Sequence, residues 1–269
     1  MRTTTQKDAA GTLEARLKNL QRQLGLEDDA LLGPITLTRL ESLVNAANPQ
    51  VLPTTLHSLE VSRQGLDQLV QFEISSEAHY TRKLTRPTWP GGASGVTIGI
   101  GYDLGCNTAL TIRNDWRGKI ADAQLEDLVR TAGKKGEAAR NLIAGLAHVK
   151  VPLEAARSVF YVRTLPRYAK NTRDLYPGVE RLPADAQAML LSLIFNRGTA
   201  LEGPRRSEMK AIRPLVQQGD LAGIACQLRS MKRLWDPATL RGLHLRRDRE
   251  AELVEQAARV YAPGEVVRI

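Results

Sequence analysis

The sequence is poor in the residues that mark several common classes of protein. Aromatic residues make up 4% of the 269 residues, and the chain has two cysteines, Cys106 and Cys226. Two distant cysteines without a C-x-x-C pair or a nearby histidine cluster predict neither a disulfide framework nor a zinc site, and we interpret both as small core residues. No apolar run reaches the roughly 18 to 20 residues that a bilayer crossing requires, so no membrane span is expected.

The N-terminal segment lacks the apolar h-region of a secretory signal. We therefore expect synthesis in the cytoplasm without Sec export, so a target outside the inner membrane would require another route. Lysine and arginine number 38 against 29 acidic residues, and this basic excess falls after residue 60. A basic body favours an anionic polymer as partner, either nucleic acid, lipopolysaccharide or peptidoglycan.

The first part of the chain has the pattern of a small helical module. Leucines recur at helical spacing over residues 13–24, and Gly25 follows where a helix would end. Residues 17–44 resemble the helical peptidoglycan-binding module of many wall hydrolases, whose signature is a leucine-rich helix, an acidic turn and Gly-Pro-x-Thr. We predict such a module over residues 1–46 and a linker over 47–57; a generic helical hairpin is the alternative.

Residues 58–269 are predicted to form a second, mainly helical domain with a small β-hairpin lobe near 85–105. Glycines and prolines interrupt any helix in that lobe, whereas Val96, Ile98 and Ile100 alternate like a strand. Apolar stripes bordered by glycine or proline predict the following helices: 121–131, 137–149, 152–170, 184–197, 207–217, 220–232 and 244–261.

Glu73 interrupts an apolar helical stripe, because it lies seven and three positions after Leu66 and Val70. A carboxyl group on such a face keeps its proton more readily, as a general acid must. Glu77 shares the predicted face and competes for this role. A boundary glutamate paired with an arginine is the simpler alternative.

The glycine-rich segment 95–105 supplies a second candidate for glycosidic chemistry. Cleavage of a glycosidic bond requires a proton donor on one side and a carboxylate or activated water on the other. Thr97 and Asp103 lie beside glycines that would let a sugar chain approach the backbone closely. A tight hairpin that needs positive φ would explain the same glycines.

Three motifs follow one another in the order found in the phage-lysozyme family. Glu73, Tyr80 and the TIGIG segment at 97–101 resemble the helix-borne Glu, the tyrosine and the Thr-Ile-Gly-x-Gly strand that frame its active site. The segments 193–198 (LIFNRG) and 242–250 (GLHLRRDRE) resemble its Phe-Asn-x-Gly and Gly-Leu-x-x-Arg-Arg-x-x-Glu helix segments. The resemblance implies a mainly α, lysozyme-like α+β fold and an enzyme that cleaves peptidoglycan.

The sequence departs from the common phage pattern at two positions. Arg82 lies where that family has an aspartate after the tyrosine, and Tyr102 lies where a histidine is usual. The YDLG segment at 102–105 instead resembles the pesticin branch of lysozyme-like toxins, in which the second carboxylate follows the Thr-Ile-Gly strand. That branch implies that Asp103 is the catalytic carboxylate and that Thr97 positions water.

The resemblance also implies contacts with substrate. Tyr80 and Tyr102 would stack on sugar rings, while Asn196 and Arg197 would bind acetamido or lactyl groups; core packing and helix-end chemistry are the alternatives. The implied reaction is hydrolysis of the β-1,4 bond between N-acetylmuramic acid and N-acetylglucosamine, without a metal or organic cofactor. The paired arginines at 205–206 and 246–247 are interpreted as solvated faces, some of which could contact anionic glycan.

Three other functions stay open on the sequence. A lytic transglycosylase would dispense with Asp103, and a non-catalytic wall-binding protein would keep only the fold. A nucleic-acid-binding protein fits the charge, but the few aromatics and the lack of an RNA-binding or zinc-finger signature argue against it. We expect the protein to be a monomer whose partners are the glycan strands of peptidoglycan. It would act as a phage endolysin or as an interbacterial toxin. A phage holin or a secretion system would bring it to the periplasm, and a toxin would have an immunity protein.

Overall fold

The computed structural model describes residues 13–28, 33, 36, 39–40 and 58–269. The chain divides into two compact units, Met1–Thr54 and Thr55–Ile269. In the first unit, helix α1 (Leu13–Gln23) carries the buried Gln21, whose amide donates a 3.0 Å hydrogen bond to the Thr36 hydroxyl of the Gly-Pro-x-Thr motif. The wall-binding module stays a prediction, and the linker at 47–57 lies outside the described residues.

The second unit is mainly helical, which confirms the coarse fold class. Two π-helical turns (Tyr80–Leu84 and Phe160–Thr164) and several short 3-10 turns connect its longer elements. The α-helices are, in chain order, α2 (Arg63–Ile74), α3 (Glu77–His79), α4 (Ala109–Trp116), α5 (Asp122–Val129), α6 (Glu137–Arg140), α7 (Leu153–Val159), α8 (Leu165–Leu175), α9 (Ala184–Arg197), α10 (Ser207–Gln218), α11 (Leu221–Ser230) and α12 (Arg241–Glu255).

Within the described residues, four short strands form two antiparallel pairs: β1 (Glu60–Ser62), β2 (Thr97–Ile98), β3 (Tyr102–Asp103) and β4 (Val266–Arg268). The β2–β3 hairpin lies inside the predicted lobe and confirms it. The β1–β4 pair joins the two ends of the unit and was not predicted. Three-residue strands carry too little periodicity to be recognised, and their hydrogen bonds depend on a distant partner.

Most helix predictions agree with the structure within a few residues, but two do not. The helix predicted over 137–149 is wrong beyond Arg140, where Gly145 lies within a short 3-10 turn. The last helix ends at Glu255 rather than 261. Beyond it the Tyr261 hydroxyl lies 3.1 Å from the Asp185 carboxylate, and the chain leaves the helix to reach β4.

The core is built around α9. Every residue from Ala184 to Ile194 is buried, and the helix packs against β1, α2, α8 and α12. A helix covered on all sides must be apolar on all sides, as this one largely is.

The interpretation of Cys106 and Cys226 as core residues is wrong, because both are exposed. Among the described residues, no helix is both long and apolar enough to cross a membrane.

Helices α2 and α9 lie close together at Gly65, where an added Cβ would overlap the Cβ of Ala188. We expect Gly65→Ala to lower the free energy of unfolding by about 1–3 kcal/mol, because overpacking would force the two helices apart. Equilibrium denaturation in urea measures this loss. Gly242→Ala on α12 is the control, since a Cβ there has open space. Equal stability of the two variants would contradict the close approach.

Candidate active site

Glu73 lies in the last turn of α2, between the core and solvent. Leu66, Leu69 and Ile74 of the same helix are buried, whereas 17% of the Glu73 side chain is exposed. The helix ends at Ile74, because the next residue, Ser75, has a φ of 62° and leaves the helical conformation. Glu77 therefore belongs to a separate turn, where it is exposed and paired with Arg157. The prediction that it shares the face of Glu73 is wrong.

The Glu73 carboxylate is held by an arginine from the other end of the domain. Arg246 of α12 donates from Nη1 to Glu73 Oε1 at 2.8 Å, and its guanidinium lies 4.8 Å from the centre of the Phe72 ring. Arg246 is buried, so solvent screens this pair only weakly. The contact therefore fixes the direction of the Glu73 side chain.

Arg246 is itself part of a buried polar cluster between α9 and α12. Glu250 is fully buried and accepts hydrogen bonds from the Ser192 hydroxyl (2.6 Å), Arg246 Nε (3.1 Å) and Arg247 Nη2 (2.8 Å). Burial lowers the pKa of Arg247, and the adjacent Glu250 opposes that shift. The interpretation of Arg246 and Arg247 as a solvated face is therefore wrong: carboxylates within the fold pair with both of them.

Thr97 and Asp103 are direct partners in the β2–β3 ladder. Side chains directly opposite each other in an antiparallel pair lie on the same face of the hairpin. Asp103 accepts from the Gly105 amide at 2.7 Å through Oδ1 and from the Gly95 amide at 3.1 Å through Oδ2. A carboxylate has about four lone-pair sites, so each oxygen can still accept a bond from a water molecule.

The hairpin turn reaches Glu73 because Gly101 has no side chain. With a φ of 64°, this glycine lies where an added Cβ would come within 3.0 Å of Glu73 Oε2 and 2.8 Å of Phe195 Cε1. Gly99, with a φ of 59°, packs in the same turn against Trp116. The glycines thus serve the turn and its close packing, which is the alternative that the sequence left open.

A cavity of about 240 Å³ opens beside Asp103. Burial raises the pKa of Tyr168, and the neighbouring carboxylates of Glu73 and Asp103 add to this shift. Asp103 lines this cavity, whereas Glu73 is related to it through the turn at Gly101, which also lines the cavity. The residues that line the cavity are Gly101, Tyr102, Asp103, Cys106, Asn107, Thr164, Arg167, Tyr168 and Asn171.

Sequence reasoning missed the contribution of α8 to this cavity. Arg167 donates to Asp115 Oδ2 at 2.6 Å and to Asn107 Oδ1 at 3.0 Å, and Tyr168 packs on Phe195 with ring centres 4.6 Å apart. No motif marks either residue, because only the packing of α8 beside the hairpin gives them this position.

In the described part of the chain, no group of three His, Cys, Asp or Glu side chains could hold a metal ion.

The predicted stacking of Tyr80 and Tyr102 on sugar rings is wrong. Tyr80 is fully buried, and its hydroxyl donates to the Val151 carbonyl at 3.0 Å. Tyr102 borders the cavity but is 3% exposed, and its hydroxyl donates to Asp115 Oδ2 at 2.8 Å. Burial raises the pKa of both hydroxyls. Neither ring offers a face to a ligand, so both tyrosines are core residues.

Asn196 and Arg197 lie at the end of α9, which stops at Gly198 with a φ of 69°. They line a second cavity, of about 600 Å³, rather than the cavity beside Asp103. The structure therefore brings Glu73, Thr97 and Asp103 into one region and gives Asn196 and Arg197 a different one.

Replacing Arg246 should destabilise the fold strongly, because Arg246→Met leaves Glu73 and the buried Glu250 with one fewer partner. We expect a loss of about 3–5 kcal/mol in the free energy of unfolding, measured by urea denaturation. Arg249→Met is the matched control on the same helix, since the side chains of the Arg249–Glu252 pair are 42% and 46% exposed and solvent screens their charges. Its loss should stay below about 1 kcal/mol. Similar losses for both variants would contradict the structural role of Arg246.

The close approach of the hairpin turn to Glu73 can be tested at Gly101. Gly101→Ala combines positive φ with overlap against Glu73 and Phe195, so we expect a loss of about 2–4 kcal/mol in the free energy of unfolding. Gly92→Ala is the control, because Gly92 also has positive φ, at 57°, but open space around it. Its loss should be about 1 kcal/mol. Losses of the same size would mean that backbone strain alone acts at Gly101.

Comparison with known proteins identifies one similar family. The model of a family described as "Domain of unknown function (DUF8812)" matches residues 69–175. No curated protein matches the chain. The matched segment includes Glu73, the β2–β3 hairpin and α8, and thus the residues that surround the cavity beside Asp103.

Proposed function

We propose that this protein is a muramidase with a lysozyme-like domain of the phage-lysozyme and pesticin type. It would hydrolyse the β-1,4 bond between N-acetylmuramic acid and N-acetylglucosamine in peptidoglycan. The observation that carries the proposal is the approach of the hairpin bearing Thr97 and Asp103 to Glu73, since a Cβ added at Gly101 in its turn would lie 3.0 Å from Glu73 Oε2. A proton donor and a second carboxylate on facing elements are what glycosidic hydrolysis requires.

The two oxygens of Glu73 would have different tasks in this reaction. Oε1 accepts the hydrogen bond from Arg246, whereas Oε2 faces the hairpin turn. Oε2 is therefore the atom that would protonate the leaving oxygen of the glycosidic bond. A sugar bound over the exposed part of the side chain would bring its glycosidic oxygen within reach of Oε2.

Asp103 and Thr97 would act on the other side of the bond. The two backbone N–H groups that bind Asp103 fix its carboxylate in one orientation, so little ordering is needed when substrate arrives. Its free acceptor sites and the Thr97 hydroxyl across the ladder would hold the attacking water or stabilise the positive charge that develops on the sugar.

The charge of the molecule supports a wall polymer as substrate. The net charge is +9, and the stem peptides and attached polymers of peptidoglycan are negatively charged. We propose that the N-terminal unit adds binding to the wall, and that the enzyme reaches the wall as a phage endolysin or as a toxin delivered by a secretion system. A toxin would be accompanied by an immunity protein that blocks the cleft.

One observation favours a second candidate, a lytic transglycosylase. Both oxygens of Asp103 accept backbone hydrogen bonds inside the hairpin, as a purely structural aspartate would. A transglycosylase needs only the helix-borne acid and forms an anhydro ring on the muramic acid without an attacking water. In that case Asp103 would support the hairpin and take no part in the chemistry.

Mass spectrometry of the products from purified peptidoglycan distinguishes these candidates. The wild type should release reducing muramic-acid ends, and Glu73→Gln should lower the rate by about 100- to 10,000-fold because the proton donor is lost. Asp103→Asn should also lose activity in a muramidase. Glu77→Gln is the matched control, since Glu77 is an exposed glutamate close in the chain, and it should stay active.

Other outcomes of the same experiment identify the alternatives. Anhydro ends, together with an active Asp103→Asn variant, would establish a transglycosylase. Full activity of a correctly folded Glu73→Gln variant would mean that Glu73 is not the catalytic acid. If the wild type binds peptidoglycan but releases no product, the protein binds the cell wall and shares with lysozymes only the fold.

A further inference from the structure

The cavity at the end of α9 is unusually rich in arginine. Three guanidinium groups line its volume of about 600 Å³, together with one carboxylate, that of Glu202. We call this cavity the arginine pocket, defined by Arg197, Arg205, Arg206, Glu202, Trp235 and Leu243. Its lining has no residue in common with that of the cavity beside Asp103.

The positive charges of the arginine pocket are not balanced by ion pairs. Within the described ranges, none of its three arginines has a carboxylate oxygen within ion-pair distance. Their hydrogen bonds go to neutral groups instead: Arg197 Nη2 to the Arg205 carbonyl at 2.6 Å, Arg206 Nη1 to the Arg197 carbonyl at 2.7 Å and Arg205 Nη2 to the Leu234 carbonyl at 3.4 Å. The nearby Glu208 is paired with Arg233.

Arg197, one of the residues that line the pocket, has a side-chain donor without a partner inside the fold. Its Nε is buried without a hydrogen-bond partner, and its guanidinium lies 5.1 Å from the centre of the Trp235 ring. Burial, together with the charges of Arg206, Arg247 and Arg205, lowers the pKa of Arg197 to about 10, while Glu208 opposes the shift. Arg197 is half-buried and lies near other positive charges, so an anion bound beside it would reduce this repulsion and stabilise the folded protein.

We propose that the arginine pocket binds an oxyanion, a carboxylate or a phosphate, carried by a ligand with an apolar part. Guanidinium groups present several N–H donors in one plane, an arrangement that matches the oxygens of both anions. Trp235 and Leu243 provide apolar wall for the rest of the ligand. The inference concerns binding alone and holds whether or not the protein cleaves peptidoglycan.

Isothermal titration calorimetry with three small probes tests the proposal on the full chain. Benzoate and phenyl phosphate carry the same ring and differ in the oxyanion, while benzamide has the shape of benzoate without its charge. We expect saturable binding of at least one of the two anions and none of benzamide. The anion that binds more tightly tells whether the natural ligand is a carboxylate or a phosphate.

Charge-matched variants show whether the anion occupies this pocket. Arg205 is exposed and makes one long hydrogen bond, so Arg205→Gln should fold normally and weaken the preferred anion about tenfold, by loss of one charge-assisted contact. Arg197→Gln should weaken it as well. Arg117→Gln removes the same charge from an exposed site after α4 and should leave binding unchanged.

The proposal is overturned by any of three results. These are no saturable binding of either anion, binding of benzamide as tight as that of benzoate, and an equal loss of affinity in Arg117→Gln and Arg205→Gln. The last result would mean that the anions respond only to the overall charge of the protein. None of these results bears on the release of muramic-acid ends, so this proposal and the proposed hydrolysis can fail separately.

Discussion

The architecture of the second unit depends on the buried guanidinium of Arg246. Ionised groups are stable inside a protein only when partners replace the water they lose. Arg246 meets this requirement through Glu73 on α2, Ser192 on α9 and Glu250 on its own helix. A single side chain thus joins three helices that are far apart in sequence, and it orients the carboxyl group that we propose as the catalytic acid.

The hairpin depends on a different set of interactions, made mostly by the backbone. Asp103 binds two amide groups, and the turn at Gly101 packs where no side chain would fit. The hairpin therefore carries the Asp103 carboxylate and the Thr97 hydroxyl on one face, and its turn lies close to Glu73.

Helix α9 connects the two cavities. Its buried length forms the core, Phe195 near its end packs against the hairpin turn, and Arg197 two residues later lines the arginine pocket. A movement of this helix end would affect both places at once. The rigid packing of α9 against β1, α2, α8 and α12 opposes such a movement.

The sequence by itself determined the helical class, the hairpin and most helix positions, because apolar periodicity and glycine placement are local signals. It also singled out Glu73, Thr97 and Asp103 as candidates. Only the tertiary structure decided that Glu77 is paired elsewhere, that Tyr80 and Tyr102 are core residues, and that Arg246 and Arg247 are buried. The β1–β4 pair and the place of Tyr168 beside the cavity were also beyond the sequence. Burial and ion pairing depend on which distant elements meet, and a pattern of spacing along one helix contains no information about its partners.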